Sequence, residues 1–268
     1  VTRTLGVLFA IALAAAPALP AAARAPVSGR DGMVVSAESH ATDVGLAVLA
    51  QGGNAFDAAV AVGFALAVTH PAAGNLGGGG FCVALTADGE TLFLDFREVA
   101  PAAATAGMYL DAAGEVVPGL STKTHLAVGV PGSVAGLLRL LADHGTWTRE
   151  EILAPAIALA RDGFPVSPHL HRALENDRSL LTSWPHTAAL FFPGGEALAA
   201  GAPLRQRDLA GTLERIARRG EADFYEGRTA ALFLAEMECG DGLVTAADLR
   251  AYRPVYREPF VFTMGPHE

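Results

Sequence analysis

The sequence predicts an α/β protein, helix-rich in its second half, and three observations carry that prediction. Residues 57–68 are apolar on nearly all sides, the mark of a helix held between layers rather than on a surface. Two short apolar runs, 81–86 and 91–96, flank Asp88-Gly89, a strong hairpin turn. From Pro131 onward, apolar stretches recur behind residues that start helices. With 51% hydrophobic and 18% charged residues among 268, the chain has the composition of a globular protein and not of a disordered one. Much of the apolar share is alanine and glycine, which points to closely packed helices.

The elements follow in order. Arg3, an apolar run over 5–19 and Ala23-Arg24-Ala25 make the three-part layout of a secretory signal peptide, predicted over residues 1–25. The run is broken by Pro17 and Pro20 and is too short for a comfortable membrane span. This predicts a periplasmic or secreted protein. Ser39–Ala50 reads as the first helix of the mature part, stopped by Gly52-Gly53. Asn54 precedes the apolar helix 57–68, which Pro71 ends. The runs 81–86 and 91–96 are apolar on nearly every residue, so both of their faces are expected to be covered. A helix is predicted over 131–144, and Thr148-x-x-Glu151 is a capping box for another over 150–161. Further helices are expected over 168–180, 206–219, 227–238 and 246–252, with strands again beyond Pro259.

Charge and side-chain chemistry narrow the function. The net charge is −9, and loss of Arg3 and Arg24 with residues 1–25 would make it −11. An acidic surface without a lysine run argues against nucleic acid, though not against a small anion held at a local site. Cys82 and Cys239 give no disulfide framework, and Cys82 reads as a small buried apolar residue. The eight histidines form no HExxH or Cys/His cluster, so neither a metal nor a cofactor is expected. The glycine-rich run 74–80 lacks the lysine and the following helix of a phosphate loop. Bare backbone of this kind instead lets another layer, or a substrate, approach closely.

Two residue sets are candidates for chemistry. Arg97 leaves the end of a buried strand, where its planar donors suit a carboxylate; a salt bridge with Asp95 or Glu98 is the competing reading, and local sequence favours it. Thr124-His125 places a hydroxyl beside an imidazole. Neighbours on a strand point to opposite faces, so the pair reads as ordinary strand residues. No other nucleophile–base set stands out.

Several stretches together resemble the γ-glutamyltransferase family. They are Ser36-Ala37-Glu38-Ser39-His40-Ala41-Thr42, Gly52-Gly53-Asn54-Ala55-Phe56-Asp57-Ala58-Ala59-Val60, His70-Pro71 and Gly74-Asn75-Leu76-Gly77-Gly78-Gly79-Gly80-Phe81. Asp95-Phe96-Arg97-Glu98-Val99-Ala100-Pro101-Ala102, Val130-Pro131-Gly132, Gln206-x-Asp208-Leu209-Ala210-x-Thr212-Leu213 and Phe224-Tyr225-x-Gly227 continue the likeness in order across residues 33–258.

The resemblance implies an N-terminal-nucleophile hydrolase proenzyme with an αββα sandwich, residues 26–268 being part of its large-subunit domain. Such precursors cut themselves before a threonine that becomes nucleophile and base. The resemblance places that threonine beyond Glu268, in a C-terminal small subunit of the same precursor. No catalytic residue is therefore expected within 1–268, and this piece alone is expected to be inactive. The implied substrate is a γ-glutamyl compound of the glutathione type, with an amino acid or water as acceptor. Arg97 matches the family arginine that grips the substrate's α-carboxylate. A related acylase acting on β-lactam side-chain amides and a noncatalytic scaffold subunit are the alternatives.

Overall fold

The first helices form where their caps are strongest. A computed structural model describes residues 26–265, so the segment read as a signal peptide lies outside the described residues. The chain divides into Val1–Met33 and Val34–Glu268, and every element named here lies in the second unit. Helix α1 (Ser39–Ala50) starts at Glu38, whose carboxylate accepts the Ala41 N–H at 3.2 Å. It ends at Gly52, whose positive φ of 92° stops the helix as expected. Helix α2 (Ala55–Thr69) starts in a full capping box between Asn54 and Asp57. Its Val60, Ala61, Phe64, Ala65 and Val68 are completely buried, so it runs between layers as its all-round apolarity predicted. Gly45 of α1 permits the close crossing: a Cβ there would stand 2.6 Å from a Val62 methyl.

Asp57 does more than cap. It is wholly buried, and its Oδ2 accepts the Asn54 N–H at 2.9 Å and the Thr146 hydroxyl at 2.7 Å. Its Oδ1 accepts the N–H groups of Thr146 and Trp147 at 2.8 and 3.1 Å. Burial pushes the carboxyl pKa up, but these four hydrogen bonds outweigh burial and hold it below the ordinary carboxylate value. The start of α2 is thereby tied to the loop 145–148.

The sheet is antiparallel in the order β1 (Phe81–Leu85), β2 (Thr91–Asp95), β5 (Val255–Arg257). Gly89, with φ +86°, makes the predicted turn, and Thr86 N–H reaches the Glu90 carbonyl at 2.9 Å. Cys82 pairs with Leu94 and Ala84 with Leu92, which puts these four residues on the helix-facing side. Phe81, Val83 and Leu85 point the other way and are 57%, 70% and 72% exposed. The expectation that both faces are covered is therefore corrected: among the described residues only one face is. Uniform apolarity signals that both faces want cover without saying what provides it. Cys82 is half-buried rather than buried, because it sits on the edge strand. A strand not predicted from the sequence, β5, precedes Pro259, and among the described residues no further strand follows it. Asp95 on β2 bonds Arg257 at 2.7 Å and helps fix that pairing.

The second half is helical, as predicted. The 120s hold one turn, α3 (Leu120–Lys123), followed by α4 (Ser133–His144) and α5 (Arg149–Asp162), which starts in its Thr148/Glu151 capping box. Helices α4 and α5 pack on α2. A two-residue ladder, β3 (Phe164–Pro165) with β4 (Pro203–Leu204), brackets the next three helices. The predicted helix 168–180 is broken into α6 (Pro168–Asn176) and α7 (Arg178–Leu181), because Asp177 leaves helical geometry (φ −100°, ψ 13°). Short α8 (Pro185–Phe191) carried too little periodicity to be read from sequence. Helix α9 (Arg207–Arg219) lies on α5, followed by α10 (Glu221–Glu226), α11 (Arg228–Cys239) and α12 (Ala246–Ala251). Buried Asp223 of α10 accepts from Arg215 of α9 at 3.2 Å and from Thr229 of α11, locking the three together. No helix among the described residues is long and apolar enough to cross a membrane.

Candidate functional site

Arg97 sits where the sheet meets the first turn of α4, and the glycine-rich run is what lets it sit there. Phe96 continues the ladder beyond β2, exchanging hydrogen bonds with Gly80 at 3.0 and 3.3 Å. A Cβ on Gly79 would stand 2.5 Å from the Phe96 carbonyl oxygen and 2.8 Å from the Arg97 Cα. The bare backbone therefore serves close packing, the reading favoured over phosphate binding. The Gly78 carbonyl accepts N–H groups of Gly132 and Ser133 at 2.7 and 2.9 Å, which docks the start of α4 on the same run.

The backbone of Arg97 is held from several directions. Its N–H donates to Asp95 Oδ1 at 3.1 Å, and its carbonyl accepts the Tyr252 hydroxyl at 3.0 Å. Two residues on, Val99 and Val130 exchange backbone hydrogen bonds at 3.3 and 2.8 Å. The side chain is treated oppositely. It is exposed, and among the described residues its guanidinium makes no hydrogen bond or ion pair. Neither form of the competing salt bridge is made among the described residues: Asp95 bonds Arg257 at 2.7 Å, and neither Asp95 nor Glu98 pairs with the Arg97 guanidinium. The Arg97 N–H first, and Arg257 second, keep the Asp95 carboxyl below its ordinary value.

Arg97 lines an open groove of about 490 Å³. One wall is Pro101, Ala104 and Met108; the other is the segment from Leu126 to Gly129, and the Tyr109 hydroxyl ties the walls through the Leu126 carbonyl at 3.1 Å. The lining is apolar apart from Arg97, Glu98 and Tyr109. Among the described residues the groove presents the unpaired Arg97 guanidinium, with Glu98 beside it, against small apolar side chains, and that guanidinium suits a small molecule bearing a carboxylate.

Thr124-His125 is not a strand pair, a correction to the sequence reading. Thr124 ends α3, with its hydroxyl on the Leu120 carbonyl at 2.7 Å, and His125 opens a 3-10 turn. His125 bonds Glu236 at 2.9 Å and meets Trp184 edge-on at 5.3 Å, so both residues are structurally engaged. Among the described residues no group of three or more His, Cys, Asp or Glu is arranged to hold a metal. Sequence reasoning missed Tyr252, the residue on the Arg97 carbonyl. It stands 155 positions away and was visible only as the end of a predicted helix.

Comparison with known proteins places the chain. A family model for gamma-glutamyltranspeptidase matches residues 41–268. A glutathione hydrolase proenzyme of Pseudomonas sp. (strain A14) is 47% identical over 240 residues, covering 87% of this chain and 41% of that protein. The glutathione hydrolase proenzyme of Escherichia coli K12 is 47% identical over 235 residues, covering 87% and 40%. The crystal structure of Helicobacter pylori gamma-glutamyltranspeptidase superposes with a TM-score of 0.88 at 42% identity, covering 90% of this chain and 69% of that one. The chain thus spans about two fifths of the curated relatives it matches. Helix-rich, with the few strands of a large-subunit portion, it has the N-terminal-nucleophile hydrolase fold that the resemblance implied. The chain belongs to the γ-glutamyltranspeptidase family.

Proposed function

We propose that the protein containing this chain takes γ-glutamyl groups from glutathione-type compounds and passes them to water or an amino acid. Arg97 is the grip for the donor's α-carboxylate. The observation that carries this reading is the contrast at Arg97 itself: its backbone is pinned while its guanidinium is exposed, unpaired among the described residues and on a groove. A free fork in a held position can make two parallel charge-assisted bonds to a carboxylate without first breaking a bond of its own.

This chain's residues would bind and orient. Arg97 fixes one end of the γ-glutamyl group, so that the γ-carbonyl at the other end is presented at a constant distance. The nucleophilic threonine, its amine base and the oxyanion donors would come from a C-terminal small subunit of the same precursor, as the family resemblance implies. That subunit is also the proposed cover for the open sheet face bearing Phe81, Val83 and Leu85. Export through residues 1–25 would put the activity in the periplasm or outside the cell.

The test uses the full-length, self-processed protein and a chromogenic γ-glutamyl amide. Arg97→Ala is expected to cost on the order of 2–5 kcal/mol of substrate binding, roughly thirtyfold to several thousandfold. Lysine is expected to restore only part, because a point charge lacks the planar fork. Self-cleavage should survive both changes, since that step involves no substrate carboxylate. Near-normal turnover by Arg97→Ala would remove Arg97 from the substrate site.

A further inference from the structure

Tyr225 of α10 and Tyr252, just past α12, are each 6% exposed and stack in parallel, with centroids 5.9 Å apart and planes 5° from parallel. Tyr225 donates to the Pro131 carbonyl at 2.9 Å and accepts the Ala135 N–H at 3.3 Å, fixing the start of α4. Tyr252 donates to the Arg97 carbonyl at 3.0 Å. Room for that reach is made by Gly132: a Cβ there would stand 2.2 Å from the Tyr252 hydroxyl and 2.0 Å from the Phe96 carbonyl oxygen. The rings are therefore not generic core. The Tyr252 tip passes through the gap left by Gly132 and lands on the Arg97 backbone at the groove, while the Tyr225 tip holds the start of α4.

We infer that Tyr252, braced by its stack on Tyr225, is a positioning residue that sets the direction of the Arg97 side chain by holding the Arg97 carbonyl. This inference rests on the proposed role of Arg97 but makes a separate structural claim. An exposed arginine has many rotamers open to it, so the direction in which it leaves the chain depends on how firmly its own backbone is fixed. The nearby Asp95–Arg257 pair is exposed and weak. The Tyr252 ring is buried and its hydroxyl bond to the Arg97 carbonyl is part-buried, so this hold is better shielded from water than the Asp95–Arg257 pair. Burial, then the charges of Asp95 and Glu98, push the Tyr252 phenol up to about 12, so it stays a donor across the neutral range.

The experiment is a double-mutant cycle of Tyr252→Phe with Arg97→Ala in the full-length processed protein, joined to hydrogen exchange of residues 95–100. Phenylalanine keeps the stack and removes one hydroxyl, so folding should be retained; Tyr256→Phe, which loses a hydroxyl bound to Asp143 outside the groove, is the control. Expected are faster exchange over 95–100 and a roughly fivefold loss of kcat/KM for the γ-glutamyl amide, mostly in KM. In the Arg97→Ala background Tyr252→Phe should cause no further loss. Unchanged exchange would overturn the inference, as would an undiminished loss in the Arg97→Ala background, which would mark Tyr252 as merely structural. If Arg97→Ala itself leaves turnover intact, the substrate-site reading fails, and the exchange data still decide whether Tyr252 holds the segment.

Discussion

Asp57 and Arg97 are both charged residues at the ends of apolar elements, and the fold treats them in opposite ways. Asp57 is wholly buried, and both carboxylate oxygens are taken by four donors. Arg97 is exposed, and its guanidinium is taken by none among the described residues. The protein fixes Asp57 through its side chain and Arg97 through its backbone. A charge whose valences are all satisfied is scaffold, because any ligand would have to displace bonds already made. A charge held at its root and free at its tip is ready for a ligand.

The largest expected effect tests the scaffold side. Asp57→Ala should destabilise the fold by about 3–5 kcal/mol, since it removes a buried charge and leaves three backbone N–H groups unpaired. Urea unfolding of the variant and parent gives the number, and a loss below about 1 kcal/mol would make Asp57 dispensable. Arg97→Ala should in contrast leave unfolding within about 0.5 kcal/mol of the parent while abolishing substrate grip. A large stability loss there would erase the distinction between the two residues.

Acid sharpens the same comparison. The folded Asp57 carboxyl titrates below its unfolded value, so the folded state binds this proton less readily than the unfolded chain does. Its stabilisation is full above the unfolded carboxylate pKa of about 4 and is lost as pH falls through the lower folded value. The stability gap between the parent and Asp57→Asn should therefore narrow on acidification below about pH 4. A gap that stayed constant into strong acid would mean the folded pKa is not depressed. The smallest effect belongs to the exposed Arg257–Asp95 pair. Arg257→Ala should cost less than about 1 kcal/mol, and the difference should shrink in high salt.

Local rules reached far into this chain. The capping box at Thr148/Glu151, the Asp88-Gly89 turn, the stop at Gly52 and the buried character of α2 were all legible, because each depends on residues within one or two turns. Arg97 was legible as a candidate fork, but local sequence ranked it below a salt bridge, and only the family resemblance reversed that order. In the structure β5 returns beside β2 and brings Arg257 to Asp95, and the Arg97 guanidinium pairs with neither Asp95 nor Glu98 among the described residues.

Tertiary structure alone decided the rest. Which sheet face is open depends on where the helices lie, and uniform apolarity of 81–86 carries no record of that. The break at Asp177 and the helices α8 and α10 span too few turns for periodicity to register. Asp57 stood in the sequence only as the start of an apolar helix, yet its partners Thr146 and Trp147 lie some ninety residues on. Tyr252 reaches Arg97 across 155 residues, through a gap at Gly132 that no spacing rule connects to either. The sequence determined the caps, turns and apolar faces because neighbours along the chain enforce them. Which side chains are spent on the scaffold and which are left free was decided only when distant segments closed on one another.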